Sequence, residues 1–361
     1  MVRNWSMGVW LALVLVLLAG CQTAPAAPAP AEEVAAPDLS PIQGYLSERL
    51  QALNASTAAL AAQSDRYYAL AEAANFDYAA LWAQEADAVV ESLTAARAAW
   101  MEASPLYEQS EGIVAGTPAL AEFDVILDAG GSGADDPASA VPFDLTLPDG
   151  RVLAKPGNLF GVTESTLWGT EPAFVAADVS ADWNQDGAVT FGETLPDANV
   201  LKAAADALNS NAAALLAAVE SWQPTVPEAF TALVVMTPTM SEYFASWRDS
   251  RFVLGEASAQ RDFVAISRLA DIQDILSGLQ IVYAQVEPLA QGVDAEQAAQ
   301  VGAGLRDLKA FVAGIYTQEQ GGRRYTPEEA DLLGAEAQNR ATAVTGQLSQ
   351  LAAELSIALM E

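Results

Sequence analysis

Apolar residues recur at alternating steps of three and four along most of this chain, which is the spacing of one face of an α-helix. Helices with such a face bury it by packing in antiparallel bundles around a shared core. The sequence therefore predicts a mainly α fold. A capping box, Thr326-Pro327-Glu328-Glu329, predicts where the last helix begins. The clearest stripes are Leu46, Leu50, Leu53, Thr57 and Leu60; Val89, Leu93, Ala96 and Trp100; Ile272, Ile275, Leu279, Val282 and Val286; and Val344, Leu348, Leu351, Leu355 and Ala358.

The helical period disappears in the middle of the chain, in a stretch dense in glycine, proline and aspartate. There Phe143, Leu145 and Leu147 alternate with polar residues up to Pro148-Asp149-Gly150, and Arg151-Val152-Leu153 follows, a pattern that predicts a small β-hairpin. The predicted organisation is a first helical half over residues 40–128, an irregular or β-hairpin insertion over residues 129–200, and a second helical half over residues 201–361.

The segment from Asp182 to Glu193 fits the twelve-residue EF-hand calcium loop. Gly187 stands at position six, where the chain turns through a conformation that a Cβ makes costly. Val189, at position eight, is expected to anchor the loop in apolar surroundings. The expected calcium ligands are the side chains of Asp182, Asn184 and Asp186, the carbonyl of Ala188, a water held at Thr190, and both carboxylate oxygens of Glu193.

The surroundings of this loop favour a structural role over a sensor role. Pro196 follows Glu193 by three residues and would end an exiting helix, and the chain offers no second loop to pair with this one. An isolated loop, similar to the calcium loops of dockerin-like repeats, is therefore expected within the insertion, with Ca²⁺ as the cofactor. The alternative is an acidic surface turn that binds no metal.

Residues 1–20 have the features of a signal peptide, with Arg3 ahead of an apolar run that is short for a membrane span of about 20 residues. The sequence Leu18-Ala19-Gly20-Cys21 resembles the lipobox of bacterial lipoproteins, which implies cleavage before Cys21 and its acylation. A Pro/Ala-rich tether over residues 21–39 follows. We therefore expect a lipid-anchored protein on the extracytoplasmic side of the cell envelope. An uncleaved anchor and a plain secretory signal remain the alternatives.

Composition removes several classes of function. The chain has no histidine, which excludes Ser-His-Asp and Cys-His triads and HExxH zinc sites. A formal net charge of −31 repels nucleic acid and attracts cations, so no nucleic-acid partner is expected. Cys21 is the only cysteine, so the mature domain has no disulfide of its own.

Several segments resemble the imelysin-like family, which includes periplasmic proteins of bacterial iron uptake and proteins classed as metallopeptidases. The resemblance implies two antiparallel helical bundles side by side with a metal or ligand cleft between them. The resemblance also allows a partner protein that acts in metal uptake or in the cell envelope. The matching segments are residues 95–100, 107–111 and 123–129 in the first half, and residues 247–253, 267–272, 278–279 and 283 in the second.

The family signature is Gly-x-His-x-x-Glu shortly before a Leu-Trp pair, and this chain departs from it. Glu164 matches the family glutamate ahead of Leu167-Trp168, but Gly161 stands where the histidine is expected and Leu159 where the glycine is expected. An oxygen-only site favours harder ions than a site with an imidazole ligand. The remaining candidates for a second metal or ligand site are Glu111, Asp124 and Glu164, which lie on the segments that match the family.

Together these observations predict a non-enzymatic, lipid-anchored binding protein with one structural calcium site, handling a metal such as iron or another envelope ligand. Two alternatives stay open: a divergent metallopeptidase that uses carboxylates in place of the histidine, and an envelope scaffold with no active cleft. Metal-assisted hydrolysis needs an open coordination position and a general base. The spacing of the acidic residues does not reveal such a pair.

Overall fold

Long α-helices dominate the computed structural model, which describes residues 37–176 and 179–360, and the predicted mainly α fold is confirmed. A two-stranded sheet, short 3₁₀ turns and one π turn, Val125–Ala129, accompany them. The α-helices are α1 (Ser40–Ala73), α2 (Tyr78–Val114), α3 (Ala121–Asp124), α4 (Leu159–Trp168), α5 (Ala198–Ser221), α6 (Val226–Met236), α7 (Met240–Asp249), α8 (Arg251–Leu254), α9 (Arg268–Val293), α10 (Ala295–Gln320) and α11 (Pro327–Glu354).

The first group of helices consists of α1, α2 and α5, with α4 packed against α5. The apolar stripe of α1, with Leu46, Leu50 and Leu53, is fully buried as its spacing predicted. Helix α5 belongs to this group by packing, although the sequence division at residue 200 placed most of it in the second half. Its stripe, which includes Leu208 and Leu215, is buried on the side that meets α1. The predicted boundary at residue 200 marks where the helical pattern resumes, and this pattern does not show which helices α5 packs against.

The second group consists of α9, α10 and α11, with α6 and α7 packed against them. Helix α11 begins at the predicted capping box, where Thr326 accepts from the Glu329 N–H at 3.2 Å and Glu329 accepts from the Thr326 N–H at 2.9 Å. The helix ends at Glu354, so Leu355 and Ala358 of the predicted stripe lie beyond it.

Helices α2 and α9 join the two groups through a contact that requires glycine. A Cβ at Gly278 would lie 2.7 Å from the carbonyl oxygen of Gln109, and one at Gly112 would lie 3.1 Å from the Leu279 side chain. The two backbones can approach this closely only because both positions lack a Cβ. This close approach sets the acidic residues of α2 against the first turn of α9.

The predicted β-hairpin is confirmed. Strand β1 (Leu145–Thr146) pairs antiparallel with β2 (Val152–Leu153), and the turn between them passes through Gly150 at φ +88°. The hairpin has a small hydrophobic core of its own with α4 and α5, formed by Leu145, Leu147, Val162, Val200, Ala203 and Ala204.

The predicted signal peptide, Cys21 and most of the tether lie outside the described residues. None of the helices in the described part of the chain combines the length and the apolar character needed to cross a bilayer.

Candidate metal centre

Acidic side chains from three helical segments converge where α2 meets α9. Glu108 and Glu111 lie on α2, Asp124 and Asp128 lie in α3 and the π turn that follows it, and Asp271 lies on α9. Spacings of three or four residues place each pair on one face of its segment. All five side chains are buried, with at most 7% of their surface exposed. We call these five residues the carboxylate cluster.

Three members of the cluster are close enough to share one ion. Glu108, Glu111 and Asp128 each offer an oxygen, and these oxygens all lie within 4.8 Å of one another. The Oε2 atoms of Glu108 and Glu111 are buried and have no hydrogen-bond partner among the described residues. A buried carboxylate oxygen without a partner is costly unless a cation or a proton compensates it. The arrangement therefore has the chemistry of a hard-cation site, since carboxylate oxygens suit such ions.

Neutral hydroxyl groups orient two of these carboxylates. The Tyr243 hydroxyl donates to Glu111 Oε1 at 2.6 Å, and the Tyr107 hydroxyl donates to Asp124 Oδ1 at 2.7 Å. Each bond uses one oxygen and fixes the direction of the other. Such supporting hydrogen bonds orient the ligands of metal sites in general.

Arg268 is the positive charge inside the cluster. Its Nη1 donates to Asp271 Oδ2 at 3.0 Å and lies 3.4 Å from Glu108 Oε1. The guanidinium also lies over the Phe263 ring, 3.7 Å from its centroid. Burial alone would lower the pKa of Arg268, but the surrounding carboxylates raise it well above its usual range, so the charge is permanent. One guanidinium balances only one of the five carboxylates.

Burial, together with the surplus of negative charge, raises the pKa values of the cluster. Burial raises the pKa of Asp124 to about 7 and that of Asp271 to about 6, and the charge of Glu111 adds to both shifts. Burial also raises the pKa values of Glu108 and Asp128 well above normal, while Arg268 opposes both shifts. The site thus favours positive charge, supplied either by protons or by a metal ion.

A cavity of about 610 Å³ leads from the solvent to the cluster, with Glu111, Asp124 and Asp128 at its inner wall. Seven further charged residues line it, and most of them are acidic: Asp135, Asp136, Glu171, Glu242, Asp262, Arg261 and Arg268. Arg261 forms ion pairs with Asp135 at 3.0 Å and Glu171 at 2.8 Å and so links three segments of the cavity wall. An acidic channel of this kind concentrates cations near the inner site.

The predicted trio of Glu111, Asp124 and Glu164 is brought together only in part. Glu111 and Asp124 line the cavity, whereas Glu164 does not. The carboxylate of Glu164 instead accepts from the backbone N–H groups of Phe263 at 2.7 Å, Val264 at 2.9 Å and Ala265 at 2.8 Å. Glu164 therefore holds the loop before α9 in place, because its oxygens are occupied by the amides of that loop.

Gly161, which stands where the family histidine is expected, lies against this loop. A Cβ built on Gly161 would lie 3.1 Å from Asp262 Oδ2 and 3.0 Å from Asn158 Oδ1. The carboxylate of Asp262 therefore lies against the backbone of α4 at the position from which a longer side chain would project. Burial raises the pKa of Asp262 above its usual value.

The predicted calcium loop has an ordered set of internal hydrogen bonds. Asp182 Oδ2 accepts from the Gly187 N–H at 2.8 Å, Asn184 Oδ1 from the Asp186 N–H at 2.9 Å, and Asp186 Oδ1 from the Ala188 N–H at 2.9 Å. Gly187 adopts φ +90°, as its position in the loop requires. The side chains expected to bind calcium therefore turn toward the inside of the loop. No α-helix directly borders the loop in the described residues, since α4 ends at Trp168 and α5 begins at Ala198.

Glu193 is the last residue of the predicted calcium loop. Its carboxylate accepts from the backbone N–H groups of Trp183 at 3.1 Å and Thr190 at 2.6 Å. Hydrogen bonds from Thr190 hold the pKa of Glu193 below its usual value, so the group is ionised near neutral pH. Thr190 itself donates through its hydroxyl to Glu193 at 2.7 Å.

An arginine of α2 attaches the predicted calcium loop to the rest of the fold. The Arg97 guanidinium lies 4.0 Å from the centroid of the Trp183 ring and 5.3 Å from that of Trp168, and it donates to the carbonyls of Leu167 and Gly192. Trp183 thus provides the anchor that the sequence assigned to Val189, whose side chain is 50% exposed.

Sequence reasoning missed four members of this centre: Glu108, Asp128, Asp271 and Arg268. One signal could have found Glu108 and Asp128. Glu108 and Glu111, like Asp124 and Asp128, are acidic pairs at helical spacing within segments that are otherwise apolar on that face. Charged residues on a core-facing stripe require partners, which makes such pairs candidates for a site.

Comparison with known proteins agrees with this fold. The family described as imelysin matches residues 42–355, nearly the whole described chain. The chain therefore belongs to the imelysin family, a peptidase family by name whose members are often non-catalytic and typically extracytoplasmic. Comparison with curated proteins found no significant match.

Proposed function

We propose that this protein is a non-catalytic binding protein of the cell envelope, anchored by a lipid at Cys21, which holds a hard metal cation in the carboxylate cluster. The observation that carries the proposal is the group formed by Glu108, Glu111 and Asp128. Each of these residues offers one oxygen, and the three oxygens lie within 4.8 Å of one another. Glu108 and Glu111 also have a buried Oε2 without a hydrogen-bond partner among the described residues. Such an arrangement is stable only when positive charge lies between the carboxylates.

The ligand set determines which ions are candidates. Carboxylates without nitrogen or sulfur ligands suit Mn²⁺, Mg²⁺, Ca²⁺ and ferric iron better than Zn²⁺ or Cu²⁺. Membership of the imelysin family makes iron the ion of first interest. The acidic lining of the cavity supports uptake of a free cation from the solvent.

A binding role is favoured over peptide hydrolysis by the chemistry available at the site. The chain has no histidine to act as a metal ligand or as a general base near neutral pH. A scaffold role does not account for the unpartnered Oε2 atoms of Glu108 and Glu111. In a protein with an inactive cleft, replacing such buried carboxylates by apolar side chains would increase stability.

The calcium loop is proposed as a separate, structural site. The inward-facing oxygens of Asp182, Asn184 and Asp186 and the ionised Glu193 support calcium there. The ion would stabilise a segment that is attached to α2 mainly through Arg97.

Equilibrium dialysis with Mn²⁺, Ca²⁺, Zn²⁺ and ferric citrate tests the cluster. We expect Glu111→Gln to weaken binding of Mn²⁺ or iron at least tenfold, because it removes a carboxylate whose Oε2 has no hydrogen-bond partner among the described residues. Glu242→Gln is the matched control, since Glu242 lines the same cavity but is exposed. Equal affinities in the unaltered protein and in Glu111→Gln would refute the proposed site.

A further inference from the structure

Arg268 shares a carboxylate with the three residues proposed to hold an ion. Its Nη1 atom lies 3.4 Å from Glu108 Oε1. Glu108 is also a member of the group, with Glu111 and Asp128, whose oxygens lie within 4.8 Å of one another. The charges of all three carboxylates act on Arg268. Because an arginine keeps its proton in proteins, a permanent positive charge lies directly beside the proposed position of the ion.

The surroundings of Arg268 leave its side chain little room to move when a cation enters. Its Cζ atom lies 3.7 Å from the centroid of the Phe263 ring and 4.9 Å from that of the Tyr243 ring. The Phe263 N–H donates to the buried carboxylate of Glu164 at 2.7 Å. The Tyr243 hydroxyl donates to Glu111 at 2.6 Å, so the residues that carry both rings are held by hydrogen bonds. Arg268 is also the first residue of α9, with only 6% of its surface exposed, and its charge therefore stays beside the proposed ion.

The hydrogen bonding of Arg268 is poor for a buried arginine whose only role is structural. A guanidinium presents a planar fork of N–H donors and binds a carboxylate best through two parallel hydrogen bonds. Both carboxylate contacts of Arg268, to Glu108 and to Asp271 at 3.0 Å, use Nη1. Its buried Nε has no hydrogen-bond partner among the described residues. Arg268 thus brings a positive charge to the cluster without the paired hydrogen bonds of a well-formed ion pair.

The charge of Arg268 affects different cations to different degrees. Carboxylates attract a trivalent ion more strongly than a divalent ion of the same size, and a nearby positive charge also repels the trivalent ion more strongly. We propose that Arg268 is a specificity-determining residue of the carboxylate cluster, which shifts the preference of the site from trivalent toward divalent cations. This inference rests on the proposed metal-binding function and deepens it, because it specifies the charge of the ion that the site takes.

Two ions of similar size and different charge, Ca²⁺ and Tb³⁺, test this role. The parent for the experiment is the full chain carrying Glu193→Gln, which removes the two-oxygen ligand of the predicted calcium loop. Tb³⁺ is added first, and its luminescence, sensitised by tyrosines such as Tyr243 beside Glu111, reports binding. Ca²⁺ is then added to displace Tb³⁺, which gives the ratio of the two dissociation constants. Any signal that persists in Glu111→Gln comes from other sites and is subtracted.

Two neutral variants, Arg268→Gln and Arg268→Met, remove the charge. Each should strengthen Ca²⁺ binding about tenfold and Tb³⁺ binding about thirtyfold, because the Coulomb energy is proportional to the charge of the ion. The preference for Tb³⁺ over Ca²⁺ should therefore rise about threefold. A loosened fold would change both affinities alike and leave this ratio unchanged.

Conservation of the charge gives a second readout. Arg268→Lys keeps a positive charge in the cluster and should keep the preference of the parent chain. Circular dichroism checks that each variant is folded. If the glutamine variant does not fold, Arg268→Met carries the test, because a methionine side chain packs well against the Phe263 and Tyr243 rings.

Arg261→Gln is the matched control. Arg261 lines the same cavity, but its side chain is 50% exposed and pairs with Asp135 and Glu171 at the cavity wall. Removing this screened charge should leave the preference between Ca²⁺ and Tb³⁺ unchanged. An equal rise in Arg261→Gln would show that the total charge of the cavity sets the preference, and would overturn the specific role of Arg268.

The outcomes separate this inference from the function on which it rests. If Glu111→Gln abolishes Tb³⁺ binding but the neutral Arg268 variants keep the preference of the parent chain, the role of Arg268 is overturned and the metal site stands. If Tb³⁺ does not bind, or if Glu111→Gln does not weaken its binding, the proposed function is overturned as well.

Discussion

Replacing Asp124 by asparagine is expected to stabilise the metal-free protein at alkaline pH. Burial and the charge of Glu111 raise the pKa of Asp124 from 3.8 to about 7. Between these values the folded protein binds a proton that the unfolded chain does not, so the free energy of unfolding falls as the pH rises. The slope is about 1.4 kcal/mol per pH unit.

The size of the effect follows from the pH window. Between pH 5 and pH 8 the ionisation of Asp124 should lower the free energy of unfolding by about 3 kcal/mol. Most of this decrease should occur between pH 5 and the folded-state pKa of about 7. For a domain of this length that corresponds to about 4 °C in Tm. Asparagine has no proton to lose, and its side-chain carbonyl can still accept from the Tyr107 hydroxyl.

The assay is thermal unfolding in chelator at pH 5 and pH 8. The Tm of Asp124→Asn minus the Tm of the unaltered protein should be about 4 °C larger at pH 8 than at pH 5. Glu122→Gln, an exposed position on the same helix, should follow the unaltered protein at both. If Asp124→Asn has the same Tm as the unaltered protein at pH 8, then the buried charge of Asp124 does not destabilise the fold.

Three further results are expected. Calcium at 10 mM should stabilise the protein by about 2.7 kcal/mol if its Kd is about 10⁻⁴ M, and Glu193→Gln should remove most of this shift in thermal unfolding; identical melting curves in calcium and chelator would contradict the calcium loop. The precursor should incorporate labelled fatty acid and partition into detergent, whereas Cys21→Ser should do neither; a membrane-bound Cys21→Ser protein would indicate an uncleaved anchor. Purified protein should not cleave casein or insulin chains with zinc, manganese or calcium present, and metal-dependent cleavage that Glu111→Gln abolishes would establish a peptidase instead.

Local patterns in the sequence predicted the secondary structure well. The stripe of Leu46, Leu50 and Leu53 and the capping box at Thr326 report on contacts within one helix and its immediate core, which is why they were reliable. The hairpin around Gly150 was also predicted from neighbouring residues alone.

The composition of the candidate site was harder to predict, because it depends on contacts between residues far apart in the chain. Glu164 matches the family motif in sequence, yet its oxygens are occupied by amides about 100 positions later. Asp128 was missed because the chain between α2 and the π turn brings it back to Glu108 and Glu111, and the sequence does not reveal this path. The placement of α5 with the first group of helices has the same cause.

The glycine contact between α2 and α9 bears on how fast an ion can enter and leave. Because Gly278 packs directly on the Gln109 carbonyl, α2 and α9 are in direct backbone contact at this point, and close packing of this kind resists rearrangement of the acidic residues beside it. If the cluster binds an ion as proposed, the incoming ion would shed its water inside the cavity, and dehydration would then set the exchange rate. Ions that lose water readily, such as Ca²⁺ and Mn²⁺, should equilibrate quickly, whereas Mg²⁺ dehydrates reluctantly and should enter slowly. The rigid helix contact would then select ions by their kinetics as well as by their affinity.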